Sequence, residues 1–256
     1  NLETKFVAAN SLISIEKPSQ MEMKNPKVEE LENELFKVRE EIFYSNSRWK
    51  KVELQKREKN LREKLKEALS RDGFGSKVAE QITSWDPFDQ NTHANWFDPE
   101  WMFGVKDGFD IVIGNPPYIK EYTFRKAFDG LRESPYYKGK MDIWYFFACK
   151  GIDLLKQKSG ILTFIAQNNW VTSYGASIMR NKVIKDTQIM QMLDFGSYMI
   201  FEKADIQTMV MIFKADSITD NYKFDYRRLE GNELNFNDVL DLLNYNQNSK
   251  TIYLNP

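Results

Sequence analysis

Residues 109–120 read Phe-Asp-Ile-Val-Ile-Gly-Asn-Pro-Pro-Tyr-Ile-Lys, an apolar strand that runs into two adjacent prolines. Proline has no amide donor and pushes the residue before it into an extended conformation. A strand that reaches Asn115-Pro116-Pro117 must therefore leave its sheet there. Asn115 and Pro116 both precede a proline, so their carbonyls sit on stiff, extended backbone. The Asn115 carboxamide, the Pro116 carbonyl and the Tyr118 ring are thereby presented together at a strand end. Two acceptors beside an aromatic face suit a planar ring with an exocyclic amine, such as adenine. The competing reading is a plain turn, for which Asn-Pro is a common choice. One such tetrapeptide is too short for a polyproline ligand.

The surrounding pattern says what sheet this strand joins. Strands are expected at 4–9, 109–113, 160–166, 189–195 and 207–214, with helices at about 142–156 and near 174–186. Strands alternating with helices imply an α/β sheet, in which ligands sit beyond the carboxyl ends of the strands. Residues 222–228 form a further strand candidate, and a short helix is expected near Phe236–Leu243. Asn25-Pro26 marks a helix start, and Val28, Leu31, Leu35, Val38 and Ile42 follow at steps of three and four. A second helix from about Trp49 to Leu69, ended by Asp72-Gly73, uses Leu54, Leu61 and Leu65. The two make an antiparallel hairpin, read as a structural insertion whose interleaved lysines, arginines and glutamates form mostly a solvated face. Its locally basic run from Arg48 to Lys59 leaves phosphate contact as the alternative. The aromatic stretch 82–108 reads as an ordered segment that covers a core.

Composition closes several doors. With 256 residues and a formal net charge of −1, the whole chain has no basic footprint, although a local basic face remains open. One cysteine, Cys149, and one histidine, His93, exclude an internal disulfide and a His/Cys zinc cluster, and no metal site is expected. The lone thiol suits a reducing compartment. No apolar run is long enough to span a membrane.

Gly-Asn-Pro-Pro-Tyr after Asp-Ile-Val-Ile resembles motif IV of S-adenosylmethionine-dependent adenine-N6 DNA methyltransferases of the amino gamma class. Order and spacing look closest to type IIG restriction–modification enzymes. Phe6-Val-Ala-Ala-Asn10-Ser11-Leu12 looks like motif III, where an acidic or amide side chain and the next backbone amide contact the cofactor adenine. Phe164-Ile-Ala-Gln-Asn-Asn-Trp170 resembles motif VI, and Phe195-Gly196 with Phe201-Glu-Lys-Ala-Asp205 resembles motif VIII. The resemblance implies a partial Rossmann-like methyltransferase sheet with a helical-hairpin insertion. Its catalytic region would be 1–13 and 72–220, its insertion 25–71, with 221–256 opening a following segment.

By the same resemblance, Asn115, Pro116 and Tyr118 are catalytic, and Tyr118 and Phe201 stack on the target base. Asn10, Ser11 and Asn115 face the cofactor, S-adenosylmethionine. Taken alone, Phe201 reads as core. The family's glycine-rich loop and the acidic residue of its second strand have no counterpart before Asn10. The chain is thus expected to be part of a longer enzyme, inactive by itself, with most of the cofactor site elsewhere. The expected partners are double-stranded DNA, the N-terminal half of the methyltransferase domain and a target-recognition domain. The basic segment after the motif (Lys120, Arg125, Lys126, Arg132, Lys138, Lys140) carries Tyr122, Tyr136 and Tyr137 and is either a DNA contact or a solvated loop. RNA or protein glutamine as substrate, and a non-catalytic DNA-binding or scaffold role, stay open. No nuclease constellation of carboxylates and lysine stands out.

Overall fold

The computed structural model describes residues 2, 4–15, 25–71, 76–89, 91–201, 203–218 and 222–254. The chain divides into two compact units, Asn1–Lys106 and Asp107–Pro256.

The first unit holds helices α1 (Pro26–Tyr44), α2 (Arg48–Arg71), α3 (Ser76–Ser84) and α4 (Pro99–Phe103). Asn25 caps α1, its side chain accepting from Lys27 N at 2.9 Å, and Pro26 fills the first helical position. The Asp72-Gly73 stop lies outside the described residues. The apolar residues spaced by three and four are buried on both helices, so their seam is the contact between α1 and α2. One seam position is charged. Glu58 is fully buried and accepts from Arg39 Nε at 3.0 Å, Arg39 Nη2 at 2.8 Å and Arg62 Nε at 2.8 Å. Arg62 also pairs with Asp86 at 2.9 Å, and the Arg39 guanidinium lies 5.1 Å from the Trp85 ring centroid. Burial pulls the Arg39 pKa below its ordinary value, and Glu58 partly restores it. These three charges therefore leave the solvated face on which the interleaving pattern places them.

Trp85, Trp96 and Trp101 are buried against the hairpin residues, so the aromatic stretch does cover a core. Residues 4–9 do not form the expected strand. Lys5 N and Phe6 N both turn back onto Leu2 O, and only Ala9 pairs, in an isolated bridge to Ala94. With a single partner residue the segment has no ladder to extend it, and Phe6 stays largely exposed.

The second unit is built on a six-stranded sheet. Its elements are β1 (Ile111–Gly114), α5 (Trp144–Asp153), β2 (Ile161–Gln167), α6 (Ser177–Asp186), β3 (Gln188–Asp194), β4 (Thr208–Lys214), β5 (Asp225–Leu229), α7 (Phe236–Leu243) and β6 (Thr251–Leu254). The strand order is β1-β2-β4-β3-β5-β6. β1 and β2 are parallel through the α5 crossover, β4 runs antiparallel between β2 and β3, and β5 is parallel to β3. Fold class is thus α/β with a mixed sheet and a helical hairpin, as the pattern implies. The two strands of the segment beyond residue 221, β5 and β6, extend this same sheet.

Close packing holds the crossover. A Cβ on Gly151 of α5 would lie 2.6 Å from Leu162 Cδ1, so any larger residue there would push the buried Leu162 side chain aside. On the opposite face α7 covers β3 and β5 through Val239, Leu242, Leu193 and Leu229. At β1 that face is open: Ile111 and Ile113 are 65% and 78% exposed, and the outer edge of β1 pairs with no strand among the described residues.

Replacing Glu58 with Ala leaves two guanidiniums buried without their shared carboxylate. Glu58→Ala is expected to cost about 3–5 kcal/mol, read as a lowered urea midpoint of the first unit by tryptophan fluorescence.

Candidate active site

The carboxyl ends of β1, β2 and β3 lie along one edge of the sheet, because β1 and β2 are parallel and β3 joins them through β4. Asn115-Pro116-Pro117-Tyr118 leaves the sheet at this edge. Gly114, the last residue of β1, is packed on the Phe164 ring, where a Cβ would be 3.1 Å away. Asn115 is exposed, Pro116 buried and Tyr118 half-buried. The Tyr118 hydroxyl lies 2.8 Å from Asn115 Oδ1 and 2.9 Å from the Ile165 carbonyl oxygen. It clips the motif to β2.

One phenol proton cannot serve two acceptors. Both contacts are satisfied when Tyr118 donates to the Ile165 carbonyl and the Asn115 carboxamide is turned half a revolution, so that Nδ2 donates to the phenol oxygen. Which way such an amide points is decided by its hydrogen bonds. Asn115 Oδ1 then faces away from Tyr118, free to accept. Burial, and next Asp142, push the Tyr118 pKa up to about 12, so the hydroxyl keeps its proton at neutral pH.

Two carboxyl groups that sequence reasoning missed fix the backbone beyond the motif. Asp142, just before α5, accepts from Ile119 N at 3.1 Å through Oδ1, and its Oδ2 is buried without a hydrogen-bond partner. Burial is the main reason its pKa rises to about 6, against the pull of the Trp144 and Ile119 amides. Glu121 accepts from the Tyr137 hydroxyl at 2.8 Å, Lys140 N at 3.0 Å and Arg132 Nε at 3.3 Å. Although burial pushes its pKa up, these donors hold it below the ordinary glutamate value. An aspartate ahead of an apolar helix is a legible cap signal; its grip on Ile119, 23 residues earlier, is not.

Phe201 lies half-buried in the connection from β3 to β4, at the same edge of the sheet as Asn115, and its carbonyl accepts from Ala204 N at 3.1 Å. Glu202 of that motif lies outside the described residues. Asn168 Nδ2 donates to Asp194 Oδ1 at 2.9 Å, joining the ends of β2 and β3. Beside it, Gln167 Oε1 and Thr208 Oγ1 are register partners, both buried and without a hydrogen-bond partner. Asn10 and Ser11 belong to the other unit. Asn10 Oδ1 accepts from Leu12 N at 3.2 Å and its backbone N donates to Ala94 O, leaving the exposed amide NH2 as the group on offer.

Residues 4–201 match the family model described as Eco57I restriction-modification methylase. The chain belongs to this family. It is 23% identical over 158 residues to the type II restriction enzyme and methyltransferase RM.Eco57I of Escherichia coli, covering 59% of this chain but 14% of that relative. Among solved structures, the modification subunit of a putative type I restriction enzyme from Vibrio vulnificus overlays with a TM-score of 0.44 at 16% identity. That overlay covers 58% of this chain and 34% of the other. A type I restriction-modification methyltransferase subunit from Streptococcus thermophilus gives 0.39 at 18% identity, over 67% and 38%. The matched span of the Eco57I family model reaches from the segment before the hairpin to Phe201 and so takes in Asn10, Asn115 and Tyr118.

Asp142 supplies the prediction here. A carboxyl whose folded-state pKa is raised favours the fold while protonated and loses that advantage as pH rises through about 6. Asp142→Asn has no proton to lose. The stability difference between variant and parent is therefore expected to shift in the variant's favour from pH 4 to pH 7, by up to about 3 kcal/mol. Urea midpoints at the two pH values measure it, and a pH-independent difference would contradict the assignment.

Proposed function

We infer that this chain carries the target-base site of an enzyme that moves a methyl group from S-adenosylmethionine to the N6 amine of adenine in DNA, within a restriction–modification system. The observation that carries the reading is the Asn115-Pro116 acceptor pair at the end of β1, beside a Tyr118 ring fixed by the Ile165 carbonyl.

The amine of adenine is a weak nucleophile because its lone pair is delocalised into the ring. Asn115 Oδ1 and the Pro116 carbonyl would each accept one amine hydrogen. These dipoles are already in place when positive charge grows on the nitrogen. The methylated amine is then acidic, so its proton can leave without a strong base nearby. Tyr118 would stack on one face of the base, and Phe201 is the proposed partner on the other. Stacking worth about 1–3 kcal/mol per base offsets part of the few kcal/mol needed to flip the nucleotide out of a duplex.

Asn10 suits the adenine end of S-adenosylmethionine, since its free amide NH2 can donate to a ring nitrogen and the Ser11 amide follows it. When bound, this cofactor supplies an electrophilic methyl group. The open edge of β1, with Ile111 and Ile113 on an uncovered face, fits a further strand from the part of the enzyme that would hold the rest of the cofactor. A target-recognition module would supply DNA sequence choice.

The test is transfer of labelled methyl from S-adenosylmethionine by the enzyme that contains this chain, offered duplex DNA, RNA and protein in parallel. Asn115→Ala is expected to lower kcat by roughly 10²–10³ with little change in KM for DNA. Asn115→Asp, which keeps an acceptor, is expected to lose less. Transfer to RNA or protein alone, or an Asn115→Ala enzyme of parental rate, would overturn the reading.

A further inference from the structure

Tyr118 is followed by an excursion, residues 119–141, that leaves the rim of the candidate site and returns to it. Its two ends are tied together. Glu121 N donates to Met141 O and Ile143 N to Ile119 O, both at 2.9 Å, flanking a Lys120–Asp142 bridge. Phe128, Leu131 and Met141 are buried. Arg132 reaches Asp129 Oδ1 and the Arg125 carbonyl, each at 2.8 Å, as well as Glu121. A Cβ on Gly175 would meet Lys140 O at 2.3 Å, so the neighbouring turn packs directly on the returning strand. The excursion is anchored.

Against that anchoring, its outward aromatic side chains are exposed. Tyr122 is 77% and Phe124 53% exposed, and Tyr174, beside the returning strand, is 66% exposed. Lys120 Nζ stands 6.0 Å from the Tyr122 ring centroid and Lys138 Nζ 5.1 Å from that of Tyr174. Among the described residues, Lys120, Arg125, Lys126, Lys138 and Lys140 take part in no ion pair. The acids Glu121 and Asp129 are engaged by Arg132, which leaves Glu133 as the segment's remaining acid. Arg132, Tyr136 and Tyr137 drop out of the sequence-level contact set: Tyr137 and Arg132 serve Glu121, and Tyr136 lies under Lys182.

Exposed aromatic faces beside unpaired cations, on a rigid support, match the chemistry of an unpaired nucleic-acid strand. Bases stack on the rings and phosphates meet the cations. A fully paired duplex satisfies the cations but offers no free base face to the rings. We propose that Tyr122, Phe124 and Tyr174, with the cations between them, form a binding surface for single-stranded DNA, holding the strand opened beside the flipped base. The proposal rests on the Asn115 reading only for the surface's place in the reaction, and strand binding needs neither cofactor nor methyl transfer.

The experiment is fluorescence anisotropy of this chain with a fluorescein-labelled oligonucleotide, single-stranded or annealed to its complement, over a range of salt. The single strand is expected to bind more tightly. Tyr122→Ala and Phe124→Ala should each weaken it about tenfold without changing the salt slope. Lys120→Gln and Lys126→Gln should each reduce that slope by about 0.7. All four positions are exposed, and circular dichroism checks that the variants remain folded. Equal affinity for duplex and single strand, or no binding of the strand, would overturn the proposal. So would binding indifferent to both aromatic substitutions. Because strand binding is read without cofactor and without methyl transfer, failure here is distinguishable from failure of the catalytic reading.

Discussion

The hydroxyl of Tyr118 on the Ile165 carbonyl is the contact on which the candidate site depends. Two prolines carry the chain out of the sheet, but they do not say where it goes. The bond to Ile165 returns the motif to β2, and the Ile119 amide bond to Asp142 ties it to the start of α5. Both contacts presuppose the parallel pairing of β1 with β2. With these in place, turning the Asn115 carboxamide so that Nδ2 donates to the phenol oxygen satisfies both contacts of Tyr118 and leaves Asn115 Oδ1 free to accept. An acceptor held in advance of the reaction spends no energy on reorganisation when charge develops.

Burial of charge recurs within each of the two units and has two outcomes. In the hairpin, Glu58 is shared by two arginines, so three charges are buried as a hydrogen-bonded set. At the site, Glu121 is satisfied by three donors and remains an ordinary anchoring carboxylate. Asp142 has one oxygen without a partner, and its proton affinity rises accordingly. The difference lies in donor supply: a guanidinium, a phenol and a backbone amide reach Glu121, whereas Asp142 is offered backbone amides on one side alone.

Much of this was legible in the sequence, for reasons that follow from local physics. The hairpin was readable because its spacing by three and four recurs over many turns and Asn25-Pro26 marks its start. The strands from β1 to β4 were readable as apolar runs, and Asn115, Pro116 and Tyr118 were singled out because proline geometry is local. Residues 4–9 have the same apolar character yet form no strand, since a ladder needs a partner that composition does not disclose. The burial of Glu58 and the grip of Asp142 on Ile119 depend on residues far apart in the chain. The insertion of β4 between β2 and β3 is likewise a tertiary outcome. Asn10 was picked out by resemblance, and its side-chain oxygen proves to be engaged locally by Leu12 N.

Residues 4–201 match the Eco57I restriction-modification methylase family, and the proposed reading of Asn115 and Pro116 has an amine on a flat ring as the acceptor. The most direct measurement is therefore the identity of the product. DNA methylated by the enzyme that contains this chain would be digested to nucleosides and analysed by mass spectrometry. The account predicts N6-methyldeoxyadenosine as the new species. N4-methyldeoxycytidine or 5-methyldeoxycytidine in its place would contradict it.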